Sequence, residues 1–308
     1  MEFQTALTNV IITLLYILPG YISAKCRIVK PEHLSSMSSV LVYVCAPCMI
    51  VHAFLNTDFS GENIGNMGLF FVITFALQVL FMLVIYALFK KKYDDAKYRI
   101  LTIASVMGNV GFFGLPIIRA LMPDNPEVSC YSSVYIISMN ILVFTVGVYC
   151  LTREKKYMSL RAAVLNPSVI ALLVALPLHF FSVGQYVPDV LMNAVNLLSS
   201  MTTPLCMIIL GVRLSTVRFL SLFSKPFVYI ICLGKLVVFP LFCYLTVAFL
   251  PLPFSFKASV LILSAVPCAS VILNMAEIHH AETELAANCV LISTLLCFIT
   301  IPLLTLVL

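Results

Sequence analysis

Polar and apolar positions alternate along this chain on the scale of a membrane, not of a strand or an amphipathic helix. Apolar runs of about 20 residues, the length a helix needs to cross a bilayer, cover 4–24, 34–56, 67–89, 100–118, 128–151, 164–182, 190–211, 227–250, 258–276 and 285–307. Short polar, basic or Pro-containing segments separate them, leaving no room for a soluble domain. The pattern predicts an all-α polytopic membrane protein of ten transmembrane helices.

Two of the ten are unlike the rest. The fourth lies between Arg99 and Arg119 and the ninth between Lys257 and Glu277, so each has 19 residues (100–118 and 258–276). The fourth reads "ASVMGNVGFFGLPII", with three glycines, an asparagine and a proline in an uncharged run. The ninth carries "SAVPCAS". Asn109 is the tenth residue of the first and Pro267 the tenth of the second, which puts both breakers at the bilayer midplane. Proline removes a backbone donor and clashes with the preceding turn. The polar groups so freed are tolerated in a membrane only where protein or a water-lined cavity satisfies them. Broken helices also turn half-helix N-termini, with their partial positive charge, toward one point, which suits an anion. A second reading takes Ser105, Gly108, Gly111 and Gly114 as a small-residue packing stripe. A period of three drifts about 60° per step on a helix of 3.6 residues per turn, so the stripe fits a single flat face poorly.

The chain also repeats. An offset near 157 sets Asn9 on Asn166, Pro47 on Pro204, Gln78 on Lys235, and Asn109 on Val266 beside Pro267. Each half, 1–156 and 157–308, holds five spans, an odd number, so the halves face opposite ways. Inverted repeats with paired, interrupted spans are a transporter signature.

Composition sharpens this. The 308 residues are 62% hydrophobic and 10% charged, with mean hydropathy +1.09, against about 25% charge in soluble chains. Of 18 basic residues, fifteen fall in the loops after spans one, three, five and seven. Basic loops stay cytoplasmic, which sets both termini on the extracytoplasmic side of the plasma membrane. The loop 277–284, "EIHHAETE", should be cytoplasmic yet carries no Lys or Arg. The first apolar run has an acidic start and basic residues behind it, and reads as a retained helix, not a cleaved signal.

Eleven cysteines lie mostly inside apolar runs, as small hydrophobes. Cys45 and Cys48 have redox C-x-x-C spacing, but a reactive thiolate needs a cation or a helix N-terminus. The adjacent His279 and His280 diverge by about 100° on a helix, a poor metal pair. No phosphate loop, nucleophile–base pair or nucleic-acid surface appears. The sequence therefore points to a non-enzyme with no cofactor, no metal and no nucleic-acid partner.

"GNVGFFGLPII", "VPCASVILNMAE" and "STLLCFITIPL" (293–303) resemble the auxin efflux carrier family, which includes plant PIN-type carriers and bacterial malate/malonate permease-like proteins. The resemblance covers essentially the whole chain. It implies two inverted five-helix repeats with crossed, broken fourth and ninth helices. The first two helices of each repeat (4–56 and 164–211) would form a scaffold and the last three (67–151 and 227–307) a transport unit. Plant carriers have Pro-Asn at the fourth-helix crossover. Here the pair is Gly108-Asn109, so the asparagine carries over and the proline does not. The ninth-helix proline matches Pro267, followed here by Cys268 in place of a polar residue. These departures move the expected substrate from auxin to small organic carboxylates at large. Dimerisation through the scaffold is a further family expectation.

Other candidate residues follow. Lys235 lies well inside span eight, where a charge costs about 2.5–3.5 kcal/mol. It either holds substrate charge or pairs with a carboxylate, or else snorkels. Asn140 in span five lines the site or bonds a neighbouring helix, with Gln78 comparable by pseudo-symmetry and Asn274 and Asn288 weaker. Pro47 and Met49 in span two, and Thr203 and Pro204 in span seven, face the pocket from the scaffold side on this reading. Two other functions compete: a sodium-coupled organic anion symporter of the bile-acid type, and an intramembrane thiol oxidoreductase using Cys45 and Cys48. The first would want acidic side chains inside spans four and nine, and none lies there.

Overall fold

A computed structural model describes residues 8, 11, 12, 15–30, 32–55, 61–181, 183–216, 225–279 and 281–308. Asn9, one partner of the sequence repeat, lies outside them. The described chain is all helix, with one isolated antiparallel bridge and no strand. In chain order the helices are α1 (Ile17–Lys25), α2 (His33–Leu55), α3 (Gly61–Phe89), α4 (Ala96–Ala104), α5 (Leu115–Leu121), α6 (Glu127–Thr152), α7 (Pro167–Phe180), α8 (Asp189–Ser215), α9 (Pro226–Ala248), α10 (Phe254–Ser264), α11 (Ser270–Ile278) and α12 (Thr283–Thr305). Seven helical stretches among the described residues are long and apolar enough to cross a bilayer. The fourth and ninth sequence spans are not among them, because each is cut into two short pieces.

Local chemistry sets the helix ends. Asn166 caps α7 by accepting from Ser168 N at 3.0 Å, with Pro167 in the first turn, where a missing N–H costs nothing. Asp95 caps α4, accepting from Lys97 N at 3.1 Å and ion-pairing with Lys97 Nζ at 2.7 Å. Those bonds hold its carboxyl below the usual carboxylate range. The cap starts α4 at Ala96, earlier than the hydropathy pattern indicates, so Lys97 and Arg99 belong to the helix and not to the loop.

The helices sort by contact. α1 packs most heavily on α8, and α2 on α7 and α8, while α3 packs on α6, α9 on α10 and α12, and α10 on α6. The α1–α8 crossing is a backbone-to-backbone contact. A Cβ on Gly20 would fall 2.1 Å from Ile208 O, and one on Gly211 the same distance from Ile17 O. Glycine on both sides removes the side chains that would hold these helices apart. On the other group, Phe70, Tyr131 and Phe256 stack with centroids 4.7–5.5 Å apart, joining α3, α6 and α10 through one aromatic cluster.

Gly20→Val is therefore expected to lower the thermal midpoint of the detergent-solubilised protein by several degrees, since backbone cannot retreat as a side chain can. Gly65→Ala, where no atom lies within 4 Å, is the control and should leave the midpoint unchanged. Equal midpoints for the two variants would refute the close-contact account.

Candidate functional site

α4 ends at Ala104 and α10 at Ser264. Beyond each the chain leaves the helix for a few residues before helical structure resumes, as a π turn at Val110–Gly114 leading into α5, and as α11. The two extended pieces lie side by side. Asn109 N donates to Pro267 O at 2.8 Å, and Ala269 N donates to Met107 O at 3.0 Å, with Gly108 opposite Cys268. Each interruption thus gives the other one donor and one acceptor, so backbone groups freed by the breaks find partners inside the protein.

Neighbours complete the pairing. Cys268 N donates to Ser293 Oγ on α12 at 2.9 Å, and the Cys268 thiol donates to Ala104 O at 3.3 Å. That carbonyl closes the end of α4, where helix acceptors run out of partners. Lys235, on a π turn (Gly234–Val238) within α9, is completely buried. Its Nζ donates to Ser264 O, the last residue of α10, at 2.6 Å, and lies 5.1 Å from the Phe239 ring centroid. It forms no ion pair among the described residues. A lysine amine therefore sits against a helix C-terminus, the end that favours a cation.

Gly108 has a specific reason to be glycine. A Cβ there would come 2.6 Å from Val266 Cγ2 and 3.0 Å from Lys235 Nζ. The proline that plant carriers have at this position would meet the same atoms. Both obstacles are side-chain ends, so Gly108→Ala is expected to cost about 1–3 kcal/mol, and Val266→Ala in the same chain should recover most of it. Chemical or thermal unfolding of the single and double variants checks this; a double variant no better than Gly108→Ala would refute it.

Asn109 follows directly. It is half-buried while Gly108, Pro267 and Cys268 are buried. Its backbone carbonyl accepts from Phe113 N and Gly114 N, but its side chain does not cap the π turn. Its carboxamide makes no hydrogen bond among the described residues and is available to a ligand.

The remaining candidates scatter. Asn140 on α6 is buried, and its carboxamide bonds no described residue. Gln78 on α3 is half committed: its Nε2 donates to Ser138 Oγ at 2.9 Å and to Thr74 O at 3.1 Å, tying α3 to α6, while its buried Oε1 has no partner among the described residues. Asn288 on α12 is buried with its Nδ2 unpaired. On α2, Met49 is buried and Pro47 half-buried; on α8, Thr203 and Pro204 are half-buried. α8 reaches the π turn after Asn109, and α2 reaches α6. Cys45 and Cys48 are both free thiols on α2. The side chain of Glu277 and all of His280 lie outside the described features.

Sequence reasoning missed Ser293 and the carbonyls of Ala104 and Ser264. Ser293 begins the "STLLCFITIPL" motif, but nothing in its spacing says that it holds Cys268. Backbone acceptors have no sequence signature at all.

A family model described as "Membrane transport protein" matches residues 5–159 and, a second time, 151–305. The chain belongs to this family, that of the auxin efflux carriers. It is 25% identical over 301 residues to an uncharacterized transporter of Methanocaldococcus jannaschii, covering 96% of each chain. It is also 25% identical over 323 residues to an uncharacterized transporter of Methanothermobacter thermautotrophicus, covering 100% of each. The protein is a multi-pass membrane transporter.

Proposed function

We propose that this carrier moves small organic carboxylates across the plasma membrane by alternating access. The observation that carries the reading is the mutual pairing of the two interrupted helices, with the Asn109 carboxamide uncommitted at the joint and the Lys235 amine behind it. In this reading the substrate carboxylate accepts from the Asn109 side chain and from backbone N–H groups opening the second half-helices. Lys235 balances its charge through Gly108, and Pro267 keeps the second break open. Gly108 and Cys268 set the joint's spacing, and Asn140 lines the approach.

Ten helices in two inverted repeats, 1–156 and 157–308, supply the frame, with both termini extracytoplasmic. The helices that pack as α1, α2, α7 and α8 serve as scaffold, presenting Pro47, Met49, Thr203 and Pro204, and a second copy docks on that scaffold. The group α3–α6 with α9–α12 carries the joint past it. Gln78 acts as a brace within that group.

The deciding experiment is saturable uptake of labelled acetate, malonate, malate and indole acetate by proteoliposomes, with pH, sodium and potential gradients imposed separately. Saturable flux of at least one carboxylate, and none of a sugar or amine control, is expected. No carboxylate flux under any gradient would refute the reading. Spans four and nine (100–118 and 258–276) hold no Asp or Glu to bind a coupling cation, so flux should not require sodium. Obligatory sodium dependence would favour the bile-acid-type symporter instead.

A further inference from the structure

A second place in the fold has the chemistry of an anion site, and it lies away from the helix joint. A cavity of about 190 Å³ opens where the ends of α2 and α5 meet the start of α6. Its polar lining is His52 from α2, Arg119 from the last turn of α5, Asn125 from the connecting loop, and Ser129 from the first turn of α6. Its walls include Ala53 and Met122. Among the described residues no carboxylate lines it. Asp124, between the lining residues Pro123 and Asn125, is exposed, and Glu127 accepts from Asn125 Nδ2 at 3.2 Å.

Arg119 forms no ion pair with any described residue, and a guanidinium keeps its charge at any physiological pH. An arginine on a cavity wall with no described acid facing it leaves a fork of donors suited to a carboxylate. At about 30 Å³ per water the cavity holds about six water volumes, the size of a small mono- or dicarboxylate.

Its position bears on transport. Arg119 stands ten residues past Asn109, about 15 Å further along the half-helix at 1.5 Å per residue, or half the thickness of a bilayer core. It lies by the N-terminus of α6, while Arg153 and its ion partner Asp94 lie at the other end of that helix. The cavity is therefore on the side opposite the basic loops, the extracytoplasmic side. One wall, α2, belongs to the group that packs around α1 and α8, and the other walls belong to the group that carries the joint.

We infer that the cavity formed by His52, Arg119, Asn125 and Ser129 is an outer subsite where the carboxylate of the transported anion is captured before it reaches Asn109. The inference rests on the carboxylate reading above. It assigns Arg119 a binding role, in place of a mere topological charge or a neutraliser of the α5 helix end.

The test compares malonate uptake in right-side-out and inverted membrane vesicles. Arg119→Gln should raise the half-saturating malonate concentration about tenfold from the extracytoplasmic face, the effect of losing one charge-assisted hydrogen bond. From the cytoplasmic face the change should be under twofold. Arg119→Lys should recover most of the loss, by keeping the charge without the fork. No change from the outer face, or an equal rise from both faces, overturns the subsite while leaving the carrier reading intact.

If the wild type carries another carboxylate but not malonate, the same comparison is made with that carboxylate; if it carries none, the carrier reading fails, and equilibrium binding of labelled malonate to the purified protein decides the site alone. Binding lost in Arg119→Gln supports it; binding absent or unchanged overturns it. An effect confined to vesicles containing phosphatidylglycerol would identify a lipid headgroup as the occupant and would also overturn it.

Discussion

Asn109→Ala is expected to reduce carboxylate flux by about tenfold to a hundredfold while leaving the protein folded. The first half of that statement comes from the ligand side. A hydrogen bond to a charged group contributes about 1.5–3 kcal/mol, which is that range when expressed as a binding or rate ratio. The second half comes from the fold. The Asn109 carboxamide bonds no described residue, and the residue's structural work is done by its backbone N–H and carbonyl. Alanine keeps both, so the thermal midpoint should move by no more than an ordinary surface substitution moves it. Asn109→Asp should be worse than alanine for flux, because it sets a carboxylate against the substrate's own. Wild-type flux in Asn109→Ala, or a collapse of its stability, would refute the role given to this side chain.

Lys235→Met should have an equally large effect on flux and the opposite signature in stability. The side chain is fully buried and rests on one carbonyl and the face of Phe239, with no acidic partner among the described residues. Replacing a buried cation by an apolar chain of similar length removes a desolvation cost that these contacts offset only in part. The methionine variant should be as stable as the wild type or more so. Flux should fall at least tenfold, because the positive charge behind Gly108 is gone. Lys235→Arg should also fail, since the space beside Gly108 is already closed to a Cβ at 3.0 Å from the amine. A methionine variant that transports normally would make Lys235 a structural residue only. One that unfolds would mean its bond to Ser264 O holds α9 to α10.

What the sequence disclosed follows from what hydropathy and breakers encode. Equal lengths and matching midpoints of the spans that hold "ASVMGNVGFFGLPII" and "SAVPCAS" are enough to single out Asn109 and Pro267 as a pair. Asn109 N and Pro267 O are in fact hydrogen-bonded. The hydropathy pattern could not show that the pairing is antiparallel, nor that Gly108 is required by Val266 and Lys235, because those contacts join residues more than 100 positions apart. Gln78 is a residue that pseudo-symmetry singles out and hydropathy does not. Its place opposite Lys235 in the repeat suggests a shared role; in the structure its Nε2 bonds Ser138 and Thr74, while its buried Oε1 has no partner among the described residues. Arg119 illustrates the reverse. In the sequence it is one of two stray basic residues on the wrong side, and only the cavity wall around it gives it a chemistry.

The paired interruptions also impose an order on biosynthesis. Met107–Asn109 finds its partners only when Pro267–Ala269 has been made. At 5–20 residues per second, those 160 residues take about 8–30 s to synthesise. Throughout that interval the first half has an open N–H and an open carbonyl, and is expected to stay at the translocon, since such groups are costly in lipid. A ribosome stalled between the two segments should leave a nascent chain that stays bound to the insertion machinery and is cleared by membrane proteases. One stalled after α12 should not.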